Sequence, residues 1–173
     1  MRGEGTMIIK PVTAQTIAAS LAVTQTAFAD VAAANRVTRL RQSAQYRPDY
    51  DIVVVDDQER VVGHAMLMAS MLADQRIWVL ASLSVLPELQ GNGLGGAMIG
   101  YLEAQVADNG GRAIAVMGDA DYYQTFGFVA ASQFDIQAPA DVREDFLIKP
   151  MMADALAHLH GVVQFDSAFS AHE

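Results

Sequence analysis

A chain of 173 residues, 52% of them hydrophobic, holds enough apolar side chains for one sizeable core and leaves no room for long disorder. The net charge of −9 argues against a broad nucleic-acid surface, which needs many Lys and Arg to hold phosphates. With no cysteine there is no disulfide, no thiolate zinc site and no cysteine nucleophile.

Residues 7–10 read as a short strand ended by Pro11, and Thr13 as the N-cap of an alanine-rich helix over residues 14–28. Ile17, Leu21 and Phe28 fall on one stripe of that helix. No charge lies between Lys10 and Asp30, and Ala27-Phe28-Ala29 looks like a signal-peptidase site. Gln15, Thr16, Ser20, Thr24, Gln25 and Thr26 interrupt the run, whereas a secretory core is continuously apolar over about 7–15 residues. The expectation is a cytoplasmic protein with no membrane partner. Residues 31–45 read as a second helix with Val31, Val37, Leu40 and Ala44 inward. Arg36, Arg39 and Arg41 are expected mostly on a solvated face, the other reading being contact with a substrate or partner. Residues 46–50 are a loop.

Residues 52–55 and 61–72 read as a hairpin turning through residues 56–60, with a bulge marked by Gly63. Residues 73–75 turn again into a strand over 76–85, which is apolar on both faces at first and therefore central. A helix over 94–107 ends at Gly110-Gly111. Residues 113–117 read as a buried strand, Gly118-Asp119 as a turn and 121–126 as a short helix. The last strands are residues 146–148 and 162–165, with a helical turn over 153–160 between them. Hairpins plus one crossover give a mixed α/β fold, read as a single domain over 1–173 with its core at about 7–169.

Residues 83–96 run Leu-Ser-Val-Leu-Pro-Glu-Leu-Gln-Gly-Asn-Gly-Leu-Gly-Gly between a strand and a helix. The first amides of a helix have no intrahelical partner, and glycine lets an anion come close to them. That makes a phosphate site. A P-loop is excluded, because Ala97 and Met98 follow Gly96 where Lys and Ser or Thr are needed. A dinucleotide fingerprint is matched by Gly91, Gly93 and Gly96, with Asp119 as its acidic residue. Residues 86–90, Pro87 among them, separate that fingerprint from its strand; hairpins precede it; and too little chain follows Asp119 for a doubly wound sheet.

Gln90, Gly93 and Gly95 match the Q/R-x-x-G-x-G/A motif of the Gcn5-related N-acetyltransferases (the GNAT superfamily), and Tyr123-Gln124-Thr125-Phe126-Gly127-Phe128 resembles its Y-x-x-x-G-F signature. Residues 118–128 and 161–169 look most like the bacterial YhbS-like branch. The resemblance covers roughly residues 7–169. It implies a twisted, mostly antiparallel sheet with a central splayed parallel pair, flanked by helices. It also implies transfer of an acetyl group from acetyl-CoA to a primary amine; with no Cys and no evident activated Ser for an acyl-enzyme, the attack is read as direct. The cofactor site it implies comprises Leu83, Val85, Gln90, Gly91, Asn92, Gly93, Leu94, Gly95, Gly96, Asp119, Tyr123 and Phe126. Pro87, which removes a ladder donor, is expected where strand pairing fails.

Within that reading the Val85 amide polarises the thioester carbonyl, and Tyr123 is the general acid. A tyrosine near pKa 10 suits a thiolate near 8.5. Family members often carry Arg or Lys where Asn92 stands, so either affinity is modest or Arg112 or another arginine reaches the ligand. The base stays open among Glu88, Asp119, His64, Ser82 and Ser84, and His64 reads first as a hydrogen-bonded core residue. Phe126 and Phe128 read as core. Met66, Met68, Met71, Met151 and Met152 read as core filling or as pocket lining. His158, His160 and His172 lack a metal-ligand pattern, so no metal is expected. Two other readings remain: a CoA-binding sensor without catalysis, and a Rossmann-type NAD binder. A homodimer through the sheet edge after Val162 is also allowed.

Overall fold

The computed structural model describes residues 5–170. In chain order it has β1 (Ile8–Pro11), α1 (Ile17–Phe28), α2 (Val31–Arg41), β2 (Asp51–Val55), β3 (Val61–Leu72), β4 (Gln75–Val85), α3 (Leu94–Asp108), β5 (Ala113–Gly118), α4 (Ala120–Gln124), β6 (Val129–Ala130), β7 (Ile136–Gln137), β8 (Asp145–Pro150) and β9 (Gly161–Val162). Seven strands form one sheet in the order β1-β2-β3-β4-β5-β8-β6. Every neighbouring pair in it is antiparallel except β4 and β5. The expected mixed α/β architecture is therefore present, and the doubly wound parallel sheet of a Rossmann-type NAD binder is not.

The sheet is sandwiched, which is why β3 and β4 are buried on both faces. On one side Met98, Ile99, Leu102 and Val106 form the apolar stripe of α3 and pack on Ala65, Leu67 and Leu80. On the other, Val37 and Leu40 of α2 cover Met66 and Met68. Gly63 does not supply the extra residue of a bulge. The register between β2 and β3 skips Val62, next to Gly63, where a Cβ would lie 3.2 Å from Met98 Cε and 3.3 Å from Ser84 O. No helix among the described residues is long and apolar enough to cross a membrane.

The first two helices depart from their predicted faces. Ile17 and Phe28 are 42% and 49% exposed, and Val31 is 55% exposed. α1 instead buries Ser20, Val23 and Thr24. Its start slips to Ile17 because the Thr16 hydroxyl bonds back to the N–H and carbonyl of Thr13, a local alternative to helix. α2 opens at its Asp30 cap, which accepts from the Ala32 N–H, and ends at Arg41. Residues 153–160 form turns rather than a helix, with Asp154 and His158 at positive φ. The edge after Val162 is used within the chain: Gln164 exchanges two backbone hydrogen bonds with Met71. His172 lies outside the described residues.

The polar face of α1 meets a buried charge cluster. The Asp51 carboxylate, fully buried, accepts from Arg41 Nε at 2.8 Å, Arg41 Nη2 at 3.2 Å, the Tyr46 hydroxyl at 2.7 Å and His64 Nε2 at 2.7 Å. Arg41 Nη2 also reaches the Ser20 hydroxyl at 2.9 Å. Arg41 is thus a partly buried tie between α2, α1 and β2 rather than part of a solvated face. Burial alone pushes the Asp51 carboxyl up, but the bonds from His64 and Arg41 more than offset it and hold it below the usual range. His64 is pushed below 6.5 by burial, in spite of the Asp51 charge. It is therefore neutral, with its Nε2–H on Asp51.

Removing the acid should leave the partly buried Arg41 without its counter-charge. Asp51→Ala is expected to cost about 3–5 kcal/mol in urea unfolding. Acid should destabilise the fold in two stages. The unfolded chain takes up a proton on His64 near pH 6.5 that the folded chain refuses, and below the carboxylate range Asp51 is protonated. Both effects remove stability as pH falls. The urea midpoint should drop between pH 7.5 and 5, and His64→Gln should flatten the part near 6.5.

Candidate active site

β4 pairs with β5 through only three residues, Trp78, Val79 and Leu80, and then runs on to Val85. Residues 81–85 therefore present an open edge. The cause is upstream of Pro87. Between the pairs Met66–Ser82 and Leu67–Leu80, Ala81 is an extra residue on β4. A bulge bends its strand and increases its twist, which swings β4 away from β5. The Leu86 N–H bonds Val62 O at 2.9 Å, toward β3. Backbone groups alternate along a strand, so Val85 turns its own N–H and C=O toward the gap. The Val85 carbonyl accepts from Gln90 Nε2 at 3.0 Å, so Gln90 braces the loop, and the Val85 N–H faces the opening.

After a short 3-10 turn (Pro87–Leu89), Gly91 and Gly93 adopt φ of 79° and 81°, in the left-handed region that favours glycine. Gly93 caps α3, whose first turn has no acidic residue. Gly95 and Gly96 answer a different need. A Cβ at Gly95 would run into the Tyr122 hydroxyl, and one at Gly96 would lie 2.7 Å from Phe126 Cε1. Asn92 turns inward: its side chain donates to Leu89 O at 3.0 Å and Gln90 O at 3.4 Å, leaving its backbone amide for a ligand. Arg112 is no substitute cation. It follows the far end of α3, about 20 Å from the loop at 1.5 Å per residue, and donates to Ala155 O.

Two cavities meet here. The first, of about 490 Å³, is walled by the glycine loop, Leu83, Ser84, Val85, Leu94 and Phe126; none of its lining residues is charged. The second, of about 830 Å³, holds Ser82, Arg36, Asp119, Asp141 and Glu144. Phe28, Leu83, Tyr122 and Tyr123 line both. Tyr123 thus stands at the junction, where burial pushes its hydroxyl up to about 12. Its ring packs edge-on against Tyr122 and Phe128. Phe128 is core, whereas Phe126 is cavity wall. Asp119 caps α4, accepting from the Asp121 N–H at 2.9 Å, and lies on the second cavity only.

Of the candidate bases, Ser84 lines the first cavity and Ser82 the second, with His64 buried behind Ser82 at 3.1 Å. Glu88 is exposed in the 3-10 turn and lines neither. Met66, Met68, Met71, Met151 and Met152 lie away from both cavities; Met117 lines the second. Sequence reasoning missed Asp51, Asp141 and Glu144. Only Asp51 left a signal, as a lone acid opening an apolar strand. Among the described residues, no group of three or more His, Asp or Glu is placed to hold a metal ion.

The family model for the acetyltransferase (GNAT) domain matches residues 48–130, which take in both motifs. No curated protein matches the chain. Among solved structures, a GNAT family N-acetyltransferase (YhbS) from Escherichia coli in complex with CoA is similar over 100% of this chain and 97% of its own, at TM-score 0.91 and 20% identity. That likeness speaks to the fold. A GNAT family acetyltransferase from Brucella melitensis in complex with acetyl-CoA is 26% identical, with TM-score 0.78, over 95% of this chain and 99% of its own. The ribosomal-protein-S18-alanine N-acetyltransferase of Escherichia coli is more distant, at TM-score 0.63 and 20% identity over 86% of this chain and 96% of its own.

The two kinds of glycine should respond differently to a methyl group. Gly93→Ala meets no atom within 4 Å and should cost about 1–2 kcal/mol in urea unfolding, through its positive φ alone. Gly95→Ala should instead displace Tyr122, read as a change in near-ultraviolet circular dichroism.

Proposed function

We propose that this chain, which belongs to the GNAT acetyltransferase family, moves an acetyl group from acetyl-CoA to a primary amine by direct attack. The observation that carries the reading is the junction of an uncharged cavity, opened by the β4 splay, with an acid-lined one, Tyr123 standing between them.

The amides of residues 91–96 and the N-terminal end of α3 hold the diphosphate, a task that backbone dipoles perform without a lysine. Gln90, Asn92 and Leu94 shape that loop, Asn92 contributing its amide. Pantetheine lies along the open edge at Leu83 and Val85, against Phe126. The Val85 N–H then points at the thioester carbonyl and stabilises the charge that gathers on its oxygen during attack. The amine arrives through the second cavity, where Asp119, Asp141 and Glu144 outnumber Arg36 and favour a group that is cationic in solution.

As the C–S bond breaks, charge builds on sulfur beside Tyr123. The burial that raises Tyr123 to about 12 raises the proton affinity of a thiolate in the same gap, so the phenol O–H is held protonated for the moment it is needed. Ser-linked double displacement is set aside in this reading because amine and thioester meet directly at the junction.

Purified protein should be titrated with acetyl-CoA, CoA and NAD in a thermal-shift assay. Acetyl-CoA at 100 times its Kd should stabilise the protein by about 2.7 kcal/mol, NAD should not, and Gly93→Val should abolish the effect. Tyr123→Phe should keep the acetyl-CoA shift and lower kcat about 10²–10³-fold. An unchanged kcat would point to a sensor that binds CoA without using this residue.

A further inference from the structure

His64 and Asp51 are explained as ties of the fold, but their arrangement does more than hold helices. His64 Nε2 is 2.7 Å from Asp51 Oδ1, and His64 Nδ1 is 3.1 Å from Ser82 Oγ. Asp51 and His64 are fully buried, and Ser82, 6% exposed, opens into the second cavity. A carboxylate, an imidazole and a hydroxyl stand in a line that ends where the amine enters. The other neighbour of His64 Nδ1 is the Thr24 hydroxyl, at 3.3 Å, and it already donates to Ser20 O at 2.9 Å. The proton that Nδ1 accepts is therefore the one on Ser82.

We propose that Ser82, backed by His64 and Asp51, is the general base of the transfer. This rests on the acetyl-transfer reading above and deepens it.

The neutral amine attacks the thioester carbon and forms the C–N bond. Its nitrogen gives one proton to Ser82 Oγ while Ser82 gives its own to His64 Nδ1. The intermediate collapses, the C–S bond breaks, and the thiolate takes a proton from Tyr123. One proton has left nitrogen and one has reached sulfur. Return of the His64 proton through Ser82 and cavity water to Tyr123 resets the site. Ser82 is the group that touches the amine; His64 and Asp51 act through it. Asp51 fixes the imidazole tautomer so that Nδ1 points at Ser82.

The charged and titratable groups around His64 are Asp51 from β2, Arg41 from α2 and Tyr46 from the segment after α2; α1 and β4 offer it only Ser20, Thr24, Ser82 and Ser84. Burial, and to a lesser extent Arg41 at 3.3 Å from Nε2, opposes protonation, so the imidazole accepts a proton only in passing.

The test is CoA release from acetyl-CoA, with water alone and with methylamine as the smallest primary amine, for the wild type, Ser82→Ala, Ser82→Thr and His64→Gln. Acetyl-CoA binding by calorimetry and urea stability are measured on each. Ser82→Ala leaves the charge cluster whole, so it should fold and bind acetyl-CoA as the wild type does. Its kcat should fall about 10²–10³-fold, and Ser82→Thr should recover part of the loss. With water as acceptor, the wild-type rate should stay flat down through pH 6.5 and fall only at lower pH, because burial holds His64 below the ordinary histidine range, whereas Ser82→Ala should rise in proportion to hydroxide. A purely structural role would not change the shape of that profile. Ser82→Ala activity within threefold of wild type overturns the relay, as does a wild type that binds acetyl-CoA yet releases no CoA above buffer. An acetyl group found on Ser82 by mass spectrometry also overturns it, in favour of a nucleophile. A wild type that fails to bind acetyl-CoA removes the acetyl-transfer reading itself.

Discussion

One extra residue in one strand determines where this molecule can work. Ala81 has no partner on β3, and beyond Leu80 the strand that carries it loses β5. Backbone groups inside a protein need partners, so a buried strand cannot open an edge unless something bonds to it. Gln90 does so at the Val85 carbonyl, which fixes the distance between the strand and the glycine loop. The loop, the start of α3 and the open edge thus form one unit. Deleting the bulge residue would slip the register on one side of it by one and reverse which side chains of that stretch face α3 and which face α1.

The two faces of the sheet are built on different chemistry. Toward α3 the central strands present Ala65, Leu67 and Leu80, and the contact is apolar. Toward α1 and α2 they also present His64, Ser82 and Ser84. A buried polar face is tolerable only if its groups are paired, and Asp51 with four hydrogen bonds is the knot that achieves this. Rigidity follows, because the helices that border the second cavity are fastened by directional bonds rather than by interchangeable methyl groups. The proposed transfer, in which an amine is held at bonding distance from a thioester, gains from that.

Most of the architecture was readable from residue patterns. The apolar strand runs, the glycine loop and the amphipathic α3 are local features, and both acetyltransferase signatures lie where local order places them. What failed to read was non-local. Arg41 looks like any helix arginine until Asp51 and His64 are brought beneath it by strand register. Ile17 and Phe28 resembled a core stripe because apolar periodicity carries no information about a polar partner surface. Nothing local announced that the Asn92 side chain would brace the carbonyls of Leu89 and Gln90. The place where β4 and β5 part is set by a bulge that a run of small and apolar residues does not announce.

The uncharged cavity has a kinetic consequence. In the acetyl-CoA reading proposed above, a diphosphate held by dipoles alone feels no long-range pull toward this cavity, and the net charge of −9 repels it on approach. The spent carrier bears the same phosphates and departs along the same field gradient, so release is helped by what hinders capture. Dissolved ions screen that repulsion within about 10 Å at 0.1 M. Capture should therefore quicken with ionic strength, the reverse of a lysine-rich phosphate site.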